Sequence, residues 1–149
     1  MKIIVSACLL GYNVKYDGKS NLNSELVNFL SNYEVISICP EVMGGLSIPR
    51  VPAEIKNNKV INQDGLDVTN EYNLGAQKTL EIAKKENIKV AILKERSPSC
   101  GSINIYDGTF THTKINGLGI TAKLLKENGI IVLNEENYKD YFKGVLNEE

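Results

Sequence analysis

Cys8, Cys39 and Cys100 each follow a short apolar stretch, and each sits in a loop rich in Gly, Pro and Ser. Soft thiolates suit zinc or an iron–sulfur cluster. Structural zinc takes four protein ligands, whereas three leave one position open for catalysis. A cubane held by only three cysteines likewise leaves one iron free for substrate. An odd number of cysteines cannot all pair, and no export signal accompanies them, so a disulfide framework is disfavoured. We therefore expect the three sulfurs to converge on one open metal centre.

The same loops concentrate other unusual residues. All four prolines, Pro40, Pro49, Pro52 and Pro98, fall in the two later cysteine loops, where a fixed φ limits relaxation around a site. The only arginines, Arg50 and Arg96, lie there too. A guanidinium offers a rigid fork for a polar ligand, or a tie between loop strands. We assign Gly44, Gly45, Arg50 and Arg96 to substrate contact. Glu41, two residues from Cys39, is the candidate general base, against the alternative of pairing with Arg50. Ser97 and Ser99 flank Pro98 beside Cys100 and are candidates for donating hydrogen bonds in the site. The single histidine, His112, falls in the polar alternation Thr109-Phe-Thr-His-Thr113, which puts it on a hairpin face away from the crevice. Gly117-Leu-Gly-Ile-Thr-Ala122 with Glu135 imitates a dinucleotide fingerprint. The segment before it is polar, so these glycines are expected to serve a turn and close packing.

The elements that must position these residues read clearly. Lys2–Ser6, Tyr33–Ile38 and Lys89–Leu93 are strands preceding the cysteines, and Ile130–Leu133 is a fourth. Asn23 can cap a helix carrying Leu26, Phe29 and Leu30. After Cys39 the Gly and Pro content argues against regular structure. Glu54–Ile61 reads as a hairpin turning at Asn57-Asn58, and Asp107-Gly108 signals a tight one within Ile103–Phe110. Thr69 caps a helix to about Glu86, another runs near Ile120–Asn128 into Gly129, and Asn134 can cap the last. Alternating strands and helices predict an α/β fold: a Rossmann-like three-layer sandwich with a mostly parallel sheet of about four strands and one or two β-hairpins. In such a sheet, loops leaving the C-terminal strand ends meet at one crevice.

One domain is expected to cover residues 1–149. A net charge of -1 lacks the basic stripe that duplex nucleic acid requires, and no apolar stretch approaches the ~20 residues of a membrane helix. Val5-Ser-Ala-Cys8 resembles a lipoprotein cleavage box, but only three apolar residues separate it from Lys2, too few for a signal peptide. A cytoplasmic protein with a small-molecule partner is the expectation, and nothing in the sequence assigns an oligomeric state.

Three motifs then combine. Ser6-Ala-Cys-Leu-Leu-Gly11 with Tyr16-Asp-Gly18, Cys39-Pro-Glu-Val-Met-Gly-Gly-Leu46 with Pro49-Arg-Val-Pro52, and Ser97-Pro-Ser-Cys-Gly101 together resemble the TudS-like thiouracil desulfidase family over nearly the whole chain. Lys15 stands where many members have Arg. The resemblance implies a [4Fe-4S] cluster held by Cys8, Cys39 and Cys100, whose open iron binds the sulfur of a thiolated base such as 2-thiouracil, and removal of that sulfur to leave the oxo base. Two other readings stay open: sulfur transfer or hydrolysis at a Cys₃ zinc or iron–sulfur centre, and a non-catalytic cluster-binding module.

Overall fold

In a computed structural model of the protein, the backbone is described for residues 1–148 and the side chains for residues 1–144. Strand β1 (Lys2–Ser6) is buried apart from its first residue, as a central parallel strand must be. Its side chains alternate between two cores. Ile4 packs with Ala91, Leu93, Ala122 and Leu125, whereas Ile3 and Val5 pack with Leu26, Val90, Ile92 and Phe142.

Asn23 caps α1 (Ser24–Phe29) by accepting the Leu26 N–H. β2 (Glu34–Ile38) follows and pairs parallel with β1. The stretch after Cys39 is more regular than its composition predicts. Pro40 occupies the first turn of a short helix, α2 (Pro40–Met43), where a missing N–H costs nothing. β3 (Ala53–Lys56) and β4 (Lys59–Asn62) form the expected hairpin, with Asn57 and Asn58 at φ +51° and +63°.

Helix α3 (Thr69–Lys85) begins where predicted, but Thr69 is not its cap. Thr69 Oγ1 instead accepts the Val60 N–H, and Asp67 Oδ1 accepts the Thr69 N–H. β5 (Val90–Leu93) joins the other edge of β1. The next hairpin, β6 (Asn104–Tyr106) and β7 (Lys114–Asn116), is wider than the Asp-Gly signal predicts. Its loop contains positive φ at Gly108, Phe110 and His112. α4 (Ile120–Glu127), β8 (Ile131–Asn134) and α5 (Tyr138–Glu148) complete the chain. Asn134 Oδ1 accepts the N–H groups of Glu136 and Asn137 just before α5.

The strand order is β2-β1-β5-β8, all parallel, with two separate hairpins. Residues of α3 and α4 fill one core and those of α1 and α5 the other. This is the predicted three-layer α/β arrangement. Among the described residues, no helix is long and apolar enough to cross a membrane.

One contact fixes the middle cysteine loop. Helices α2 and α3 touch backbone to backbone: a Cβ on Gly75 would overlap the Pro40 carbonyl, and one on Gly44 would overlap the Glu71 carbonyl. Both α2 and the Cys39 segment preceding it therefore ride on α3. Gly75→Ala is expected to destabilise the fold by about 1–3 kcal/mol, the usual cost of overpacking, although Ala is the better helix former at an exposed site. Thermal unfolding of this variant beside Gly144→Ala, whose Cβ meets nothing within 4 Å, separates the steric effect from propensity.

Candidate active site

Because β2 lies on one side of β1 and β5 and β8 on the other, the chain changes direction between β1 and β5. Loops leaving the C-terminal ends part at such a switch point and leave a crevice. A cavity of about 650 Å³ opens there, within the ~300–1,000 Å³ range of small-molecule sites. Cys8, Cys39 and Cys100 all line it, each as a free thiol.

Each sulfur is met by hydrogen-bond donors. Asn21 Nδ2 donates to Cys8 Sγ at 3.4 Å. The backbone N–H groups of Val42 and Glu41 favour the charged form of Cys39. Ser6 Oγ lies 3.7 Å from Cys100 Sγ as a donor and also accepts the Lys94 N–H at 2.9 Å. One hydroxyl thus ties β1, the end of β5 and the third thiol together. Burial pushes all three thiols above their ordinary range, Cys100 furthest, with the Glu41 carboxylate adding to its shift. Asn21 opposes the rise at Cys8, the Val42 N–H at Cys39 and Ser6 at Cys100.

Glu95 holds the loop after Cys100. It is 2% exposed, and its carboxylate accepts the N–H groups of Ser102 at 2.5 Å, Ile103 at 3.1 Å and Asn104 at 3.2 Å. Its own N–H donates to Glu135, which also pairs with Lys94 at 2.8 Å. Glu135 is thus part of the loop scaffold, not a ribose ligand. Gly119 of the decoy motif packs directly on the backbone of Ser99 and Cys100, as close packing requires.

Glu41 lines the cavity within a network of its own. Arg50 Nε and Tyr72 Oη both donate to Oε2 at 3.0 Å, and Ser97 Oγ approaches Oε1 at 3.4 Å. Burial and the adjacent Glu41 carboxylate hold the Tyr72 phenol far above its ordinary value, so it stays a donor. Ser97 Oγ accepts the N–H groups of Ser99 and Cys100 at 3.0 and 3.1 Å. With both lone pairs engaged, only its proton remains to give.

Arg50, Arg96 and Ser97 also line the cavity. Arg50 ties loops together through the carbonyls of Ser47 and Val14, and Arg96 forks onto Glu136 at 3.1 Å. Three expected contacts are not on the cavity wall. Ser99 is fully buried and bonded to Thr121 Oγ1 at 2.8 Å. Gly44 is spent on the approach to α3, and Gly45 reverses the chain after α2 at φ +98°.

His112 does reach the cavity, against the prediction, together with Tyr106 and Phe110. Alternation fails as a guide here because the segment is not a strand: left-handed residues at 108, 110 and 112 turn the chain between each pair of threonines. The His112 and Tyr106 rings meet edge to face at 5.8 Å. Tyr72, Lys94, Glu95 and Glu54 are further wall residues that sequence reasoning missed. The charged run Lys94-Glu-Arg96, directly after a wholly apolar strand, was the available signal.

Three soft thiols are a donor set of the kind that holds an iron–sulfur cluster. Among the described residues, no three Cys, His, Asp or Glu side chains group as one metal ion requires. Cysteine sulfurs on a cubane stand roughly 6–7 Å apart, each on its own iron, so a cluster does not need that convergence. Three soft thiols around one cavity, supplied with N–H and O–H donors, suit it.

A family model described as 2-thiouracil desulfurase matches residues 3–137. The chain is 42% identical over 148 residues to the uncharacterized protein YbbK of Bacillus subtilis (strain 168), covering 93% of this chain and 98% of that protein. It also resembles the solved structure of the [4Fe-4S]-dependent thiouracil desulfidase TudS, with a TM-score of 0.91, 43% identity and 97% of each chain covered.

Two stability measurements check this geometry. Glu95→Ala leaves three N–H groups, one buried and two part-buried, without their acceptor and is expected to cost about 2–3 kcal/mol in denaturant unfolding, since each lost partner leaves a desolvated donor. The raised thiols also predict an alkaline weakness. Folded thiols hold protons that unfolded ones release near their ordinary pKa of about 9, so metal-free protein should lose stability as pH rises through and above that value. Cys100→Ala should flatten this limb, and a limb of unchanged slope would show that Cys100 is not the source.

Proposed function

Since the chain belongs to the 2-thiouracil desulfurase family, we propose that it is a [4Fe-4S]-dependent, non-redox desulfidase that converts a thiolated nucleobase such as 2-thiouracil to the oxo base and hydrosulfide. Cys8, Cys39 and Cys100 would hold the cluster, three thiolates leaving it able to take the substrate sulfur. The observation that carries this reading is the delivery of three free thiols, from the C-terminal ends of three parallel strands, to the wall of one cavity. Thiols that must lose protons to bind metal, and that are sensitive to oxidation, suit the reducing cytoplasm.

The reaction is a hydrolysis. Water oxygen adds to the thiocarbonyl carbon, the C–S bond breaks with its electron pair, and sulfur leaves as hydrosulfide while the oxygen stays on the ring. Bound between the three thiolates, the cluster would supply a soft Lewis acid for the thiocarbonyl sulfur. Glu41 takes the proton from water. Arg50 and Tyr72 on Oε2 fix the plane of its carboxylate, and Oε1 meets only the Ser97 hydroxyl. Ser97 can only donate, so it gives its proton to the departing sulfur and is re-protonated by Glu41, while the remaining hydroxyl proton of the adduct is lost to solvent as the C=O forms, the overall change being C=S and water to C=O, HS⁻ and H⁺. Arg50 and Arg96 hold the surrounding loops and present positive charge at the cavity wall.

Anaerobic reconstitution with iron and sulfide should give protein with cluster absorption in the visible range that releases sulfide from 2-thiouracil. Cys8→Ala, Cys39→Ala and Cys100→Ala should each lose most of the iron; full iron in all three would remove the cluster from this site. Glu41→Gln should load normally and release sulfide per loaded cluster about 10²–10⁴-fold more slowly, the usual worth of general base catalysis. A variant with reduced loading but normal turnover per cluster would make Glu41 structural.

A further inference from the structure

Glu54 is a buried carboxylate that the proposed reaction leaves unused. It stands on β3 at 8% exposure and forms part of the cavity wall. Its Oε1 is committed, accepting the N–H groups of Gly108 at 3.0 Å and Phe110 at 3.1 Å. Through these bonds Glu54 seats the loop that brings Phe110 and His112 to the cavity. Among the described residues, no group donates to Oε2 and no cation pairs with the carboxylate. Oε2 is not sealed in the protein either, since the buried polar atoms without a partner are Glu71 Oε2 and Tyr138 Oη. Oε2 thus keeps open lone pairs on a wall residue of a cavity that thiols and aromatic rings also line.

An ionised carboxylate only accepts hydrogen bonds, so its complement on a ligand is a donor. Tyr106 and Phe110 beside it offer flat apolar faces. A planar heterocycle with a ring N–H satisfies both features, and a thiolated base carries such an N–H next to its thiocarbonyl. We propose that Glu54 is a specificity-determining residue that accepts a ring N–H of the substrate through Oε2, so that the enzyme selects bases unsubstituted at that nitrogen. This inference rests on the desulfidase reading above. The site then discriminates, because replacing the N–H removes a charge-assisted bond and leaves Oε2 of a largely buried carboxylate without its donor.

The test compares loaded wild type and Glu54→Gln on 2-thiouracil, 1-methyl-2-thiouracil and 3-methyl-2-thiouracil. Glutamine keeps the shape and the carbonyl acceptor for Gly108 and Phe110. Any steric penalty of a methyl group is therefore retained, and only the charge-assisted bond is lost. In wild type, one N-methyl isomer should fall about 10–100-fold in kcat/KM, the worth of one such bond. Glu54→Gln should lower kcat/KM for 2-thiouracil by about 10-fold, with that isomer nearly unchanged. Calorimetric binding of uracil and its two N-methyl derivatives to the same proteins should repeat the pattern without turnover. Equal losses on all substrates in Glu54→Gln would make Glu54 a loop anchor only and overturn the inference, as would wild type indifferent to both methyl groups. Sulfide from none of the three substrates with fully loaded wild type would overturn the desulfidase reading, and this inference with it.

Discussion

Loops that leave the C-terminal edge of a parallel sheet carry peptide N–H groups that no neighbouring strand satisfies, and a buried one without a partner is strongly unfavourable. This chain answers with carboxylates turned inward. Glu95 takes three N–H groups beyond Cys100, Glu54 takes two in the aromatic loop, and Glu135 takes the N–H of Glu95 itself. The loops around the cavity are irregular yet held, which a site built outside regular structure demands. Without these acceptors, neither the third thiol nor the aromatic wall would keep its place.

The thiols are held under opposing demands. Burial favours their protonated form, whereas metal ligation needs the thiolate. Asn21, Ser6 and the amides after Cys39 supply donors that favour the charged sulfur. On the proposed reading, the pocket takes a ligand that brings positive charge, and cluster assembly releases protons. Gly44 at the end of α2 and Gly75 within α3 serve the same end at longer range, by letting α3 carry α2, Cys39 and Glu41 as one body while Tyr72 reaches across to Oε2.

Much of this was legible in the sequence, and the boundary is instructive. The four sheet strands, the Asn57-Asn58 hairpin and the Asn23 cap are local signals, and they hold in the structure. That Cys8, Cys39 and Cys100 line one cavity follows from topology, because strand ends of one parallel sheet face one crevice. Contacts between distant residues were not legible. Glu95, Glu54 and Tyr72 owe their roles to partners that only the fold supplies. His112 was misplaced because a period of two was applied to a segment whose left-handed turns abolish it. Thr69 looked like a cap but bonds to β4, and Ser99 lost its place in the cavity to Thr121.

The start of α4 has no side-chain cap. Its first amides use the Cys100 loop instead: Ile120 donates to the Pro98 carbonyl, Thr121 and Ala122 to that of Ser99, and Gly119 to that of Gly101. Helix start and ligand loop thus satisfy each other, and neither can open alone without exposing orphaned groups. They form one cooperative opening unit. Deuterium uptake at Ile120, Thr121 and Ala122 then becomes a clock for the loop that carries Cys100, read from a helix and needing no probe inside the cavity.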